Sequence, residues 1–244
     1  MPLPDRTTIG TRFLPDAARS TLERLALGPL STTAATAESG AVLAALAAAT
    51  LEAPLVVIAP TVTLAERIGS VVRWLLEQGP TPFTFPRWPR GAESPYEDVV
   101  ESPFVAAARS GVLGALCLSE TPAVLCLDAA TAGRRLMPFD AFLDGVLKIE
   151  VGREIDLGEL SHMLVAAGYR RAPTVSEVGE FAVRGGVVDV FPPSQDDPIR
   201  FELDGDEVAS LKVFDPASQR GQRPVRSAWI VPAWDVPADP ARLR

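Results

Sequence analysis

The chain has 244 residues, 47% of them hydrophobic, which is enough for one large domain or two small ones with a sizeable core. It carries 23 Lys and Arg against 31 Asp and Glu, a formal net charge of -8. This acidic balance excludes a dedicated nucleic-acid-binding domain, which would need a basic excess to neutralise phosphates.

Hydropathy and cysteine content predict a cytoplasmic protein with no membrane segment. The longest apolar stretches, residues 55–60 and 113–118, fall far short of the roughly 20 residues that span a bilayer. The N-terminus is polar and rich in proline, unlike a signal peptide. Cys117 and Cys126 lie in apolar runs without a CxxC pair, so we expect two buried free thiols.

The first half of the chain has the pattern of an α/β domain, which we place at residues 1–137. Short apolar runs at 55–59, 83–85 and 123–127 predict buried parallel strands. Between and before them, helical periodicity predicts helices at 16–27, 39–51, 63–76 and 103–116.

The second half predicts a small α+β domain at residues 138–224. Its helix begins after Asp156, an N-cap residue with Glu159 three positions on as a capping box, and ends at Gly168. Alternating runs then predict an antiparallel meander with a tight turn at Asp204-Gly205 and strands at 187–191, 199–203 and 208–214.

The final residues, 225–244, contain one more strand-like run at 228–231. This run has no evident partner in the meander. We interpret the segment as a return of the chain, in which Trp229 and Ile230 pack on the first domain.

The turn before the predicted helix at residue 39 is where an α/β domain would hold a phosphate-binding loop. Ser39, Gly40 and Ala41 occupy the positions of its Gly-Lys-Thr end, so the phosphate-contacting lysine and the magnesium-holding hydroxyl are missing. Glu38 adds a negative charge there. We therefore predict a degenerate site that binds no nucleotide and needs no cofactor.

Other catalytic or metal-binding patterns are weak. His162 is the only histidine and lies in a predicted helix, so we expect an exposed residue and no catalytic triad. Acidic residues surround two turns without the spacing that fixes a cation, and they are expected to be solvated: Asp196, Asp197, Asp204, Asp206 and Glu207. We predict no catalytic residue and no metal site.

Arginines and aromatic residues between 168 and 193 have the composition of a protein interface. Two arginines follow the predicted helix end, and Arg184 directly precedes a Gly-Gly pair. Composition alone leaves a second interpretation open, in which Tyr169, Phe181 and Phe191 are core residues and the arginines are solubilising surface.

Three segments closely resemble domain 2, which bacterial UvrB shares with the transcription-repair coupling factor, Mfd. They are residues 178–193 (VGEFAVRGGVVDVFPP), 198–208 (PIRFELDGDEV) and 214–220 (FDPASQR). The Gly-Gly pair and the FDPASQR ending look more like Mfd than UvrB. Residues 57–65 are similar, more weakly, to the strand and helix that follow the phosphate loop of UvrB. The resemblance makes residues 1–137 a UvrB-like domain 1a and 225–244 the start of domain 1b.

This resemblance implies a protein-binding module and no enzyme activity in this chain. In nucleotide excision repair, domain 2 of UvrB docks on UvrA, and the corresponding domain of Mfd recruits UvrA to a stalled RNA polymerase. The parts of Mfd that contact the polymerase and translocate on DNA lie far C-terminal to these residues. The alternatives are a functional UvrB-type ATP-dependent DNA-translocating protein, against which the missing lysine argues, and a domain that only masks the motor of its own protein.

The resemblance also suggests where UvrA would bind. The predicted contact residues are Arg170, Arg171, Glu180, Phe181, Arg184 and Phe191. Alternation along the strand puts Glu180, Ala182 and Arg184 on one face, expected to point outward, and Phe181 on the opposite face with the core. Phe181 or Phe191 is expected beside the arginines as an apolar anchor.

Overall fold

The computed structural model describes residues 36–51, 54–91 and 102–234, so the helix predicted at 16–27 lies outside the described residues. Contacts divide the chain into two compact units. The first comprises Met1–Trp88 and Ala115–Arg134, and the second comprises Pro89–Gly114 and Arg135–Arg244. The division at residues 137 and 224 expected from the sequence stays a prediction.

The first unit is built on a small parallel sheet. Strands β1 (Leu55–Ala59) and β2 (Val124–Asp128) pair in parallel, from Leu55 with Val124 to Ala59 with Asp128. The strand predicted at 83–85 is reduced to one parallel bridge between Thr84 and Ala123. The helices of this part are α1 (Ala37–Leu51), α2 (Val62–Glu77), α3 (Pro103–Leu118), whose residues up to Gly114 belong to the second unit, and α4 (Ala129–Ala132).

Helix α2 shows how local sequence sets the elements of this unit. Thr61 has extended backbone and its hydroxyl accepts from the Leu64 N–H at 3.4 Å, which satisfies one free donor of the first turn. The buried side chains of α2 recur at helical spacing and pack with alanines of α1 and with Val124. These buried positions are Ala65, Ile68, Val72 and Leu76.

The described part of the second unit contains a mixed sheet of six strands, two helices besides the first part of α3, and a two-stranded ribbon. Its sheet order is β4-β5-β6-β7-β8-β9, with β4 parallel to β5 and the other pairs antiparallel. The strands are β4 (Arg170–Arg171), β5 (Glu180–Arg184), β6 (Val187–Val190), β7 (Ile199–Asp204), β8 (Glu207–Phe214) and β9 (Gly221–Pro224). The other elements are α5 (Phe139–Asp144), β3 (Leu147–Glu150), α6 (Leu157–Ala166) and β10 (Ser227–Ile230). A mixed α/β chain with a parallel sheet and an antiparallel meander agrees with the predicted fold class.

The ends of α6 are those that the sequence predicts. The Asp156 carboxylate accepts from the Glu159 N–H at 2.7 Å, and Gly168 follows the helix with a φ of +88°. A Cβ atom at Gly168 would also lie 2.5 Å from Cδ1 of Trp234, so any larger residue would collide there. His162 is exposed on this helix, as expected.

One face of the six-stranded sheet forms the main core of the second unit, together with α6 and the β3–β10 ribbon. Alternation along β5 to β7 sends every second side chain to this face, and in β8 a bulge brings Val208, Leu211 and Val213 to it. Its buried members are Ile149, Leu160, Leu164, Tyr169, Phe181, Val188, Val190, Ile199, Phe201, Val208, Leu211, Val213, Ala228, Ile230 and Ala233. Tyr169 donates its hydroxyl to the Val231 carbonyl at 2.6 Å, which satisfies its buried polar atom.

The terminal strand differs from its prediction. Strand β10 pairs antiparallel with β3, with Trp229 opposite Lys148 and Ile230 opposite Leu147. Ile230 is buried in the core of the second unit, so the partner of this strand is in its own unit. The sequence could not indicate this pairing because β3 lies almost eighty residues earlier in the chain.

The cysteines are both free, but Cys117 is exposed and Cys126 only partly buried, which corrects the expectation of two buried thiols. Burial raises the pKa of each thiol above its ordinary value. Across residues 36–51, 54–91 and 102–234, no helix combines the length and the apolar character needed to cross a membrane.

Candidate partner-binding surface

The second face of the six-stranded sheet is polar. Cross-strand pairing places Ala182 opposite Asp189 and Asp189 opposite Arg200, so the three side chains lie in a row across β5, β6 and β7. Arg200 in turn is opposite Lys212 of β8. The charged residues of this row, Asp189, Arg200 and Lys212, together with Arg170 and Arg184 beside them, are called the polar face below.

Arg170 is held by a buried carboxylate at the edge of the polar face. Strand β4 pairs Arg170 with Glu180, and the Arg170 Nη2 donates to the Glu180 Oε1 at 2.6 Å. The other carboxylate oxygen accepts from the N–H groups of Ser176 at 2.9 Å and Glu177 at 3.0 Å. The Arg170 side chain is 70% exposed while that of Glu180 is 6% exposed. The Glu180 carboxylate therefore fixes the orientation of the Arg170 guanidinium, which remains exposed to solvent.

Glu180 stays ionised in this environment. Burial by itself would raise the pKa of this carboxyl, but the N–H groups of Ser176 and Glu177 and the charge of Arg170 together lower it below its ordinary value. A buried carboxylate that is fully hydrogen-bonded is a rigid anchor for the arginine above it.

Arg184 is held in a similar way by Asp189, whose side chain is 1% exposed. Arg184 Nη2 and Arg200 Nη2 both donate to Oδ2 of Asp189, the latter at 2.8 Å, and Arg200 Nε donates to Oδ1 at 2.5 Å. The hydrogen bonds to Asp189 raise the pKa of Arg200 above its ordinary value. Two guanidinium groups thus share one carboxylate, and the more exposed one, Arg184 at 48%, offers its remaining donors to solvent.

The turn after Arg184 explains its position at the rim. Gly185 has a φ of +60°, and a Cβ atom on Gly186 would lie 2.9 Å from the Leu203 carbonyl oxygen. The Gly-Gly pair is required both for the turn and for the close approach of β7. It ends β5 immediately after Arg184, which leaves that side chain at the end of the strand.

Arg171 lies on the other side of the sheet. Strand β4 pairs Arg171 with Phe181, a core residue of the apolar face, while Arg170 pairs with Glu180 on the polar face. Successive residues of a strand point to opposite faces. The expectation that Arg170, Arg171 and Arg184 share one face is therefore wrong for Arg171, although its side chain is exposed at the sheet edge.

The two aromatic residues proposed as anchors are both core residues. Phe181 is completely buried in the main core, and Phe191 packs with Val175, Ala182 and Phe214 in a second, smaller cluster on the polar face. The expectation that Glu180 and Ala182 point outward to solvent is also corrected, because both residues are buried. Val175 of this cluster comes from the loop before β5, Phe191 directly follows β6 and Phe214 ends β8, an arrangement that strand alternation alone does not reveal.

Three residues of this site are not among the contact residues predicted from the sequence: Asp189, Arg200 and Gln219. The first two had a usable signal, since each is a charged residue between two core residues in an alternating strand, and their charges are opposite. Pairing β6 and β7 in register would have joined them. Gln219 carries no such signal, because it lies in an irregular loop.

The residues expected to form a degenerate phosphate loop, Ser39, Gly40 and Ala41, lie within α1, which begins at Ala37. Thr36 precedes the helix, and its hydroxyl accepts from the Ser39 N–H at 3.3 Å. Hydrogen bonds from the backbone N–H of Glu38 and from the Thr36 hydroxyl lower the pKa of the Glu38 carboxyl. Glu38 also forms an ion pair with Arg67. Because the residues before 36 lie outside the described part of the chain, the degenerate loop itself stays a prediction.

We expect this chain to bind no ATP. The start of α1 already holds the Glu38 carboxylate, an anion that would repel a triphosphate, and no lysine follows Gly40 to offset it. Isothermal titration with millimolar ATP and magnesium should give only the heat of dilution, and hydrolysis should not exceed background. Saturable binding in the micromolar range would contradict this expectation.

Comparison with known proteins identifies the second unit first. Residues 147–235 match the family described as the UvrB interaction domain, a range that contains the whole sheet, α6 and the polar face. The second unit thus contains a UvrB interaction domain.

The relatives of the chain then identify the larger family. The chain is 33% identical over 203 residues to a transcription-repair-coupling factor of Myxococcus xanthus, and the match covers 82% of this chain and 17% of that protein. It is 32% identical over 212 residues to the one from Escherichia coli, covering 84% and 18%, and 36% identical over 140 residues to the one from Bacillus subtilis, covering 57% and 12%. The chain belongs to the transcription-repair-coupling-factor family and carries its UvrB-like module, which confirms the resemblance found in the sequence. It spans less than a fifth of the length of these relatives.

Proposed function

We propose that this chain recruits UvrA to stalled transcription complexes in nucleotide excision repair and is not itself an enzyme. Support comes from the match of residues 147–235 to the UvrB interaction domain and from relatives that are transcription-repair-coupling factors. Contacts with RNA polymerase and DNA would belong to parts of the intact protein beyond this chain, and a cytoplasmic location goes with the same role.

The observation that carries the proposal is a pair of exposed guanidinium groups, each fixed by a buried carboxylate on the polar face. Arg170 stands on Glu180, and Arg184 stands on Asp189. Glu180 and Arg184 are four residues apart on β5, roughly 13 Å along an extended strand. A partner carboxylate can meet such a guanidinium without first ordering a flexible side chain, which lowers the entropic cost of binding.

Charge also favours an acidic partner. Around Asp189 two arginines share one carboxylate, so this part of the polar face has one positive charge in excess. This excess is local, in a chain of net charge -8. At Arg170 the balance differs, because both Glu177 and Glu180 pair with it. The proposed partner surface on UvrA is therefore a carboxylate that meets Arg184 and a second hydrogen-bond acceptor whose spacing matches Arg170.

We expect Arg170→Ala and Arg184→Ala each to weaken UvrA binding by more than about tenfold, or about 1.4 kcal/mol. Each substitution removes a preorganised cation that the partner would cover on binding, while Glu180 and Asp189 keep their other donors. Calorimetric titration of purified UvrA with the full chain measures the loss. Thermal unfolding of each variant checks that the fold is intact.

Two further arginine variants sharpen this test. Arg223→Ala, on the opposite edge strand β9, is the matched control and should bind like the wild type. Arg171→Ala tests whether Arg171 belongs to the binding surface. If Arg171 is a contact residue, as the sequence alone suggests, UvrA affinity should fall by more than about tenfold. Its position on the other side of the sheet predicts a much smaller loss of affinity. Equal affinity of wild type, Arg170→Ala and Arg184→Ala would rule out the polar face as the interface.

A further inference from the structure

Gln219 occupies an unusual backbone conformation in the loop after β8. Its φ is +60°, and among the described residues it is the one non-glycine residue with a positive φ. An L-residue is strained there unless its surroundings hold it in place. The Gln219 N–H donates to the Asp215 carbonyl at 2.8 Å, and the Asp215 N–H donates to the Arg220 carbonyl at 3.0 Å. The loop is thus closed by hydrogen bonds on both sides of the strained residue.

The Gln219 side-chain amide connects this loop to the Arg170 site. Its Nε2 donates to the Pro216 carbonyl at 2.8 Å and to the Val175 carbonyl at 3.0 Å. Val175 is fully buried and directly precedes Ser176 and Glu177, whose N–H groups hold the Glu180 carboxylate beneath Arg170. Fixing Val175 therefore fixes the segment that orients Arg170.

The oxygens of the same residue contact the Arg184 site. Arg200 donates from Nη1 to the Gln219 backbone carbonyl at 3.3 Å and from Nη2 to the Gln219 Oε1 at 3.5 Å. The Arg200 guanidinium also lies over the Phe214 ring, 4.6 Å from its centroid. Arg200 in turn holds Asp189, the carboxylate beneath Arg184.

We infer that Gln219 is a positioning residue that joins the Arg170 and Arg184 sites into one rigid surface for UvrA. It contacts neither exposed guanidinium, yet each of them is held through residues that Gln219 bonds. The role needs a donor and an acceptor on one side chain of this length: Glu lacks the donor, Lys and Arg lack the acceptor, and Asn is one methylene shorter. The inference rests on the proposed function of the polar face.

Two substitutions separate the side chain from the backbone strain. Gln219→Gly accepts the positive φ at no steric cost and removes the amide, while Gln219→Glu keeps length and an acceptor but cannot donate to Val175. We expect both variants of the 244-residue chain to fold and to lose about fivefold or more in UvrA affinity, because the arginines must then be ordered on binding. The losses from Gln219→Gly and Arg184→Ala should be less than additive in the double variant, as expected for residues in one network.

A merely structural role is excluded by a control and by a second measurement. Leu160→Ala creates a cavity in the main core on α6, away from this network, and should bind UvrA like the wild type at a temperature well below its unfolding midpoint. Nuclear magnetic resonance should show faster solvent exchange of the Arg200 Nε–H in Gln219→Gly than in wild type and Leu160→Ala, because Arg200 loses part of its support. This measurement does not depend on UvrA.

The possible outcomes distinguish the two proposals. If the wild-type chain does not bind UvrA, the proposed function fails, and the Arg200 exchange rates still decide whether Gln219 positions the network. If the wild type binds and both Gln219 variants bind equally well, with unchanged Arg200 exchange, the inference is overturned. Reduced affinity that is less than additive with Arg184→Ala, together with faster exchange, supports it.

Discussion

Replacing Asp189 by Asn is expected to destabilise the second unit by about 3 to 5 kcal/mol, the usual cost of breaking a buried ion pair from one side. Asp189 is almost completely buried, and its two oxygens accept three hydrogen bonds from Arg184 and Arg200. Asn offers one oxygen and turns an NH2 group towards a guanidinium. Arg200, itself mostly buried, would then keep its charge without its main acceptor.

Urea unfolding followed by circular dichroism measures this loss. Asp206→Asn is the matched control, because Asp206 is exposed in the hairpin turn between β7 and β8 and should change the free energy of unfolding by less than about 0.5 kcal/mol. A similarly small change for Asp189→Asn would show that the ion-pair network of Arg184, Asp189 and Arg200 does not stabilise the sheet. The explanation of how Arg184 is held would then fail with it.

Phe191→Ala should cost about 3 to 5 kcal/mol of stability, since it removes a buried ring. The ring packs with Val175, Ala182 and Phe214 in the small cluster beneath the polar face. Loss of the ring leaves a cavity that this four-residue cluster cannot refill. Thermal and urea unfolding should both shift strongly, and UvrA binding should fall only to the extent that the chain is unfolded.

Two controls determine whether Phe191 is a core residue or a contact residue. Phe139→Ala, at a ring that is 59% exposed on α5, should leave stability nearly unchanged. Phe191→Leu keeps most of the buried volume and should retain most of the stability and the full affinity for UvrA. A Phe191→Ala variant with wild-type stability but no binding would restore Phe191 as the apolar anchor.

The local signals in this sequence lead correctly to most elements. Asp156 and Gly168 mark the ends of α6 because capping and positive φ depend on residues only a few positions apart. Alternation in β5 to β8 correctly separates Phe181 and Val183 from Ala182 and Arg184, since side chains of a strand alternate whatever lies above them. The segments resembling Mfd lie within the residues that match the UvrB interaction domain.

The candidate site, in contrast, depends on strand register and loop placement, neither of which is encoded by neighbouring residues. Asp189 meets Arg200 because β6 pairs with β7 in one particular register, and a shift of β7 by one residue would send Arg200 to the other face, away from Asp189. The sequence predicts no strand at residues 170–171, because two residues are too few to show alternation, so only the pairing of β4 with β5 reveals that Arg170 and Arg171 lie on opposite faces.

Chain patterns thus indicate most of the helices and strands here, the family to which the module belongs and the arginines that are candidates for binding. Long-range folding determines which of these arginines share a face and what holds them. Gln219 reaches Val175 across 44 residues of chain through an irregular loop, and no periodicity spans that distance. Such contacts form only when the sheet brings its two loops together, because hydrogen-bond geometry is satisfied in three dimensions and not along the sequence.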